Sequence, residues 1–189
     1  MEKEKAHASL SVSLPFKIKK EDVMSESILN GKKILAVDDE PDVLTVLEEE
    51  ITDACPQCTF DKATTFDAAS RLLESKPYDV VILDVMGVRG FDLLDLAVKK
   101  NLKVVMLTAR ALSSEALKKS YDMKARAYLP KDKLGEVVPF LEDVLKHDFE
   151  SGWKSLFEKL HGFFTDKFES DWEKKTGLNW REWGRSSGV

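Results

Sequence analysis

A run of apolar residues between two aspartates, Asp-Val-Val-Ile-Leu-Asp at residues 79–84, constrains the fold of this chain more than any other stretch. Its four central residues are mostly β-branched and show no polar alternation. This is typical of a strand that is buried on both faces of a parallel sheet. Ligands of open α/β sheets bind outside the carboxyl ends of the strands. Asp84 is therefore expected to lie where the chemistry takes place.

Other segments of the chain repeat this pattern, with helical periodicity between them. Further strands are predicted at residues 34–37, 59–63, 103–107 and 125–129. Helices are predicted at residues 41–54, 66–74, 90–99, 113–121 and 137–145. Five strands alternating with five helices predict an α/β fold, a doubly wound five-stranded parallel sheet of the flavodoxin-like order 2-1-3-4-5.

The ends of the predicted strands bring polar side chains to one edge of the sheet. These residues are Asp38, Asp39, Asp84, Thr108 and Lys131. Three carboxylates in one pocket repel each other unless a cation lies among them, and an all-oxygen set without His or Cys favours Mg²⁺. Such a cation would neutralise charge on an incoming phosphoryl group and let Asp84 attack it as a nucleophile. Thr108 and Lys131 could then contact the phosphoaspartate.

Four short motifs carry a resemblance to a known family. They are Val-Asp-Asp-Glu at 37–40, Leu-Asp-Val-Met at 83–86, Thr-Ala-Arg at 108–110 and Tyr-Leu-Pro-Lys at 128–131. In order, strand context and spacing, residues 33–147 resemble the receiver domain of bacterial two-component response regulators. We therefore assign residues 31–147 to a receiver domain.

The resemblance implies a function and a set of site residues. It implies that Asp84 accepts a phosphoryl group from a sensor histidine kinase or a phosphotransfer protein, and that the signal passes to a downstream protein partner. It implies a ligand set for Mg²⁺: Asp38, Asp39, Asp84 and the carbonyl of Met86. Thr108 and Tyr128 would be switch residues, and Lys131 would contact the phosphate. Such a protein catalyses only its own phosphorylation and dephosphorylation, and is not otherwise an enzyme.

Two departures from the family pattern leave a second function open. Gly90 follows Asp84 by six residues, which is shorter than usual, and no proline intervenes. The usual Lys-Pro pair is Lys131-Asp132 here, with the proline on the other side. These departures favour the alternative of a constitutive receiver-like scaffold with little phosphotransfer. A Mg²⁺-dependent phosphatase would need an acid two residues beyond the nucleophile, where Met86 stands.

Residues 148–189 are predicted to form an aromatic-rich helical extension that contains all four tryptophans. Apolar residues recur at helical spacing from Phe149 to Trp172, which predicts one amphipathic helix, and Gly177 ends the pattern. The charges of the extension nearly balance, without a basic stripe, which argues against DNA binding. Two interpretations remain: the extension folds back on its own receiver, or it serves a homodimer or docks a partner.

The N-terminal segment, the net charge and the two cysteines do not point to a further function. Residues 1–30 are predicted to be a flexible N-terminal segment without the apolar core of a signal peptide, and the net charge of −5 predicts no attraction to nucleic acid or anionic membrane. No apolar run approaches a membrane span, so a cytoplasmic location is expected. Cys55 and Cys58 have the spacing of half a zinc site or a redox pair, but two thiols in a loop is the favoured interpretation.

Overall fold

A computed structural model describes residues 27–109, 112–168 and 170–182 of the chain. The strands β1 to β5 are Lys33–Val37, Thr59–Ala63, Val80–Asp84, Lys103–Thr108 and Ala127–Pro130. The helices α1 to α7 are Pro41–Ala54, Phe66–Ser75, Gly90–Lys99, Ser114–Asp122, Val137–Lys146, Phe149–Lys167 and Trp172–Thr176. Two 3₁₀ helices cover Lys131–Glu136 and Trp180–Glu182.

The five strands form one parallel sheet in the order β2-β1-β3-β4-β5, which confirms the predicted topology. All five residues of the central strand β3 are buried, as expected for a strand covered on both faces. In the register of the sheet, Asp84 lies opposite Leu107, and Thr108 lies opposite Pro130. The carboxyl ends of these strands therefore meet at one edge.

Hydrogen-bonded caps fix the start of several helices. The side chains of Thr65, Ser113 and Asp148 accept from backbone amides at the starts of α2, α4 and α6. The cap at Ser113 is the one that the sequence predicts. Strand β5 starts two residues later than predicted, because the amide of Ala125 donates to the carbonyl of Ser120 and closes the end of α4.

The prediction of one helix from Phe149 to Trp172 is wrong, since α6 ends at Lys167. Phe168 adopts an extended backbone, with φ −99° and ψ 171°, and its ring stacks on Phe164 at 5.3 Å. The break lets Trp172 pack against Phe164 from the short helix α7, with ring centroids 6.0 Å apart. Gly177 ends α7 in the left-handed region at φ 67°, as its position in the sequence predicted.

The extension folds back on its own receiver and packs against α4, β5 and α5. The indole Nε1 of Trp153 donates to the carbonyl of Ala125 at 2.8 Å, in a buried hydrogen bond. On α5, Asp143 accepts from Lys159 at 2.5 Å and from Ser155 at 2.7 Å. The first of the two interpretations of the extension is therefore what the chain adopts, and a homodimer or docked partner stays a prediction.

Most of the predicted N-terminal segment 1–30 lies outside the described residues. Its last part forms a turn in which Leu29 is fully buried in the core. The thiol of Cys58 donates to the carbonyl of Leu29 at 2.9 Å, and the thiol of Cys55 donates to Asn30 at 3.2 Å. Both cysteines are free, and they pack this turn against the loop before β2. None of the described helices has the length and apolarity to cross a membrane.

Candidate functional site

The predicted polar residues gather at the carboxyl edge of the sheet, beside a cavity of about 160 Å³. The cavity is lined by Asp39, Glu40, Asp84, Met86, Gly87, Ala109 and Lys131. The strands β1 and β3 end side by side here, and the 3₁₀ helix after β5 brings Lys131 to the same place. The topology thus assembles residues that lie far apart in the sequence.

Asp84 ends β3 and is held from both sides. Its Oδ2 accepts hydrogen bonds from the backbone amides of Met86 at 2.9 Å and Gly87 at 2.8 Å. Its Oδ1 lies 3.1 Å from the ammonium nitrogen of Lys131. The carboxylate is therefore fixed in orientation while it borders an open cavity.

Asp38 and Asp39 follow β1 and differ in their surroundings. Asp38 is fully buried, and its Oδ1 accepts from the amide of Glu40 at 3.0 Å, whereas Asp39 is exposed. Burial raises the pKa of Asp38, and the hydrogen bonds from Lys131 and the Glu40 amide oppose this only in part. Carboxylate oxygens of Asp38, Asp39 and Asp84 all lie within 4.8 Å of one another.

Lys131 is the cation that balances this cluster. Its ammonium lies 2.8 Å from Asp38 Oδ2 and 2.9 Å from Glu40 Oε1, in addition to its contact with Asp84. Burial lowers the pKa of Lys131, but the hydrogen bonds to Asp38 and Glu40 outweigh it, so the pKa is raised. The unusual Lys131-Asp132 sequence therefore does not keep the side chain from the site.

Thr108 and Tyr128 are both buried, on the neighbouring strands β4 and β5, and their side chains are on the same face of the sheet. Thr108 Oγ1 makes no hydrogen bond of good geometry among the described residues. Burial raises the pKa of Tyr128 to about 12, with the nearby Thr108 hydroxyl and the backbone of Ser113 opposing it. The Tyr128 ring therefore lies inside the protein.

Two residues of the site carried weak signals in the sequence. Glu40 was visible only as the third acid of the run after β1, and the structure shows that it binds Lys131. Gly87 donates to Asp84, and a Cβ added to it would lie only 1.8 Å from Asp39 Oδ1. The lack of a side chain at position 87 thus leaves room for the carboxylate of Asp39. A glycine in a loop does not reveal such a contact before the fold is known.

The donor set fits a divalent cation with a preference for oxygen ligands. The three clustered groups are carboxylates, and Asp38 Oδ2 is buried with only the ion pair to Lys131 as a partner among the described side chains. Mg²⁺ binds in proteins through one or two carboxylates, waters and phosphate oxygens. The open cavity leaves space for such waters and for an incoming phosphate. This acidic triad is of the kind that binds Mg²⁺ in receiver domains.

A family model for the response regulator receiver domain matches residues 34–138, more than half of the chain. The chain belongs to this family. A comparison with curated proteins finds no match. Many solved structures are similar, and among them is a protein described as a response regulator from Chloroflexus aurantiacus J-10-fl. It is 25% identical, with a TM-score of 0.55, over 62% of this chain and 100% of the other.

Two further structures resemble this receiver in fold. One is a two-component response regulator of the LuxR family from Aurantimonas, 22% identical with a TM-score of 0.55, over 61% of this chain and 86% of the other. The second is the signal receiver domain of a DNA-binding response regulator from Colwellia psychrerythraea 34H. It is 20% identical with a TM-score of 0.56, over 61% of this chain and 99% of the other.

Proposed function

We propose that this receiver accepts a phosphoryl group on Asp84 from a phosphohistidine of a sensor histidine kinase or phosphotransfer protein. The observation that carries the proposal is the set of contacts that the two oxygens of the Asp84 carboxylate make. One oxygen is held by two backbone amides and the other by Lys131, beside two further carboxylates and an open cavity. No other aspartate of the described residues combines these contacts.

The chemistry is a transfer of the phosphoryl group between two nucleophiles. A carboxylate oxygen of Asp84 forms a bond to phosphorus while the bond from phosphorus to the donor nitrogen breaks, and the released imidazole takes up a proton. Mg²⁺, when held by Asp38, Asp39, Asp84 and the Met86 carbonyl, would neutralise charge on the phosphoryl oxygens. Lys131 and the Thr108 hydroxyl at the end of β4 would then bind the oxygens of the phosphoaspartate.

The alternative of a constitutive scaffold drew its support from the shortened loop after Asp84. That loop still supplies two amides to Asp84, so its length does not disturb the carboxylate. Lys131 also reaches the site despite the changed sequence around it. Both contacts support phosphotransfer, with a signal that is read by a downstream protein partner.

Incubation with acetyl phosphate and Mg²⁺, followed by intact mass measurement, tests the proposal. We expect a mass gain of one phosphoryl group in the wild-type protein and none in Asp84→Asn. Asp79→Asn serves as the matched control, because Asp79 lies at the opposite end of β3 and should leave the gain unchanged. An undiminished gain in Asp84→Asn would rule out this phosphoacceptor.

A further inference from the structure

Strand β5 is at the edge of the sheet, yet all four of its residues are buried. An edge strand normally leaves one side open to solvent. Here α6 of the extension packs on β5 and covers it. The extension therefore completes the surroundings of residues that belong to the receiver.

Phe164 of α6 packs against Tyr128. The two ring centroids are 6.4 Å apart, and both side chains are completely buried. Phe164 is itself held by its neighbours in the extension, since it packs against Phe157 at 6.1 Å and stacks on Phe168 at 5.3 Å. Because interiors are close-packed, the Tyr128 ring cannot turn into the space that Phe164 fills while α6 stays docked.

The other end of the Tyr128 side chain leads to the phosphorylation site. Tyr128 lies opposite Met106 in the register of β4 and β5, so its side chain is on the same face of the sheet as that of Thr108, two residues further on. Thr108 ends the strand that lies next to Asp84. Packed side chains thus link Phe164 to Tyr128 and Tyr128 to Thr108.

We propose that Phe164 is a positioning residue that holds Tyr128 buried whether or not Asp84 is phosphorylated. A phosphoryl group can shift a side chain only by the difference in its interaction with two available positions. With α6 docked, Tyr128 has only the buried position. By fixing Tyr128, the docked extension also restricts the position of the Thr108 hydroxyl. This inference rests on the proposed function for the role of Thr108.

The position of Tyr128 can be measured without any phosphate. The chain has three tyrosines, so protein labelled with 3-fluorotyrosine should give three ¹⁹F signals, and Tyr128→Phe identifies the one of interest. We expect the Tyr128 signal of the wild type to lack a solvent isotope shift between H₂O and D₂O. In Phe164→Ala the Tyr128 signal should acquire that shift. In Phe164→Leu the shift should be much smaller, because leucine fills most of the same space.

Phe149→Ala is the matched control. Phe149 belongs to the same helix and packs against Tyr121 at 5.0 Å and Trp153 at 6.5 Å, but no ring contact joins it to Tyr128 among the described residues. Phe149→Ala should weaken the docking of α6 and leave the Tyr128 signal without a solvent isotope shift. If Tyr128 stays buried in Phe164→Ala, or becomes exposed equally in Phe149→Ala, the specific role of Phe164 is refuted.

The second measurement is the decay rate of the phosphorylated protein. In Phe164→Ala this rate should change by roughly two- to thirtyfold, the range for residues coupled to a site, while Phe149→Ala stays near the wild type. An unchanged rate in Phe164→Ala would overturn the link to Thr108. A wild-type protein that gains no phosphoryl mass would instead refute the proposed function, and the ¹⁹F result would still decide whether Phe164 positions Tyr128.

Discussion

At the scale of single residues, Lys131 balances the charge of the acidic cluster. Its ammonium contacts Asp38 and Asp84, whose side chains are almost completely buried, and it also contacts Glu40 at the surface. An uncompensated buried charge is far more costly than a paired one. Lys131 therefore offsets the repulsion between carboxylates that a divalent cation would otherwise relieve.

Replacement of Lys131 by alanine should expose this role. We expect the free energy of unfolding to fall by about 3 kcal/mol without Mg²⁺, since Asp38 and Asp84 lose their cation. Mg²⁺ should then stabilise Lys131→Ala more than it stabilises the wild type. Urea unfolding with and without Mg²⁺ measures both effects, and Lys133→Ala, which removes a more exposed pair with Glu136, is the control. Equal stabilisation by Mg²⁺ in both proteins would contradict this account.

Gly87→Ala tests the fit between the loop after β3 and Asp39. The new methyl group would collide with the Asp39 carboxylate, which is exposed and can turn away, so the fold should survive while Mg²⁺ affinity falls. Asp39→Ala alone should also weaken Mg²⁺ binding. In the double variant the effect of Gly87→Ala should disappear, because its target is gone. Mg²⁺ titration by NMR gives the affinities, and additive losses would show that Gly87 acts through another group.

The sequence reveals some of these residues and hides others for physical reasons. Asp84 and Lys131 could be predicted because a strand end in a parallel sheet has a known location. The roles of Glu40 and Gly87 depend on distances across the site that no local pattern encodes. Burial of Tyr128 by Phe164 likewise joins two residues far apart in the chain.

At the scale of the elements, local patterns predicted the strands and failed at the end of α6. The apolar spacing continues through Phe168 and Trp172 as it would in one helix, and neither glycine nor proline marks the break. At the break Phe168 adopts an extended backbone and its ring stacks on Phe164, while Trp172 packs on Phe164 from α7. Such a choice depends on tertiary packing, which overrides periodicity.

The docking of α6 on α5 should depend on pH through Asp143. Burial raises the pKa of Asp143, but hydrogen bonds from Lys159 and Ser155 outweigh it, and the pKa is lowered. A lowered carboxyl pKa stabilises the folded state above the ordinary aspartate value of about 3.9, and this contribution disappears as the pH falls through the folded value.

Asp143→Asn should therefore lower the free energy of unfolding by about 1 kcal/mol at pH 7, and the difference from the wild type should shrink as the pH approaches 3. Unfolding followed by tryptophan fluorescence at a series of pH values measures this difference in the free energy of unfolding. Asp95→Asn, which removes an exposed pair with Lys99, should change stability much less. A difference for Asp143→Asn that does not vary with pH would contradict the role of its charge.

At the scale of the whole molecule, receiver and extension share one hydrophobic core. The core cluster contains Leu129 and Val144 of the receiver together with Trp153, Leu156 and Phe164 of the extension. The family model ends at residue 138, so the residues that cover β5 lie beyond the part that defines the family. The receiver fold could be predicted from its motifs, whereas the sequence left open whether the extension docks on its own receiver or on a partner, because an aromatic stripe does not specify the surface that it covers.

Removal of residues 149–189 should destabilise the receiver. It would expose Tyr128 and the open side of β5, and we expect the free energy of unfolding to fall by at least about 3 kcal/mol, the scale of two large apolar side chains. The truncated chain should also self-associate through the uncovered strand. Urea unfolding and light scattering measure the two effects. Unchanged stability together with the mass of a monomer would show that the extension is a passive appendage.

The cover on β5 also bears on how the protein is made. A ribosome adds about 5–20 residues each second, and α6 ends roughly forty residues after β5, so the strand emerges about 2–8 seconds before its cover is complete. During that interval the nascent chain presents an uncovered strand with apolar side chains. Chaperones that bind exposed apolar segments of nascent chains would have access to β5 during this interval.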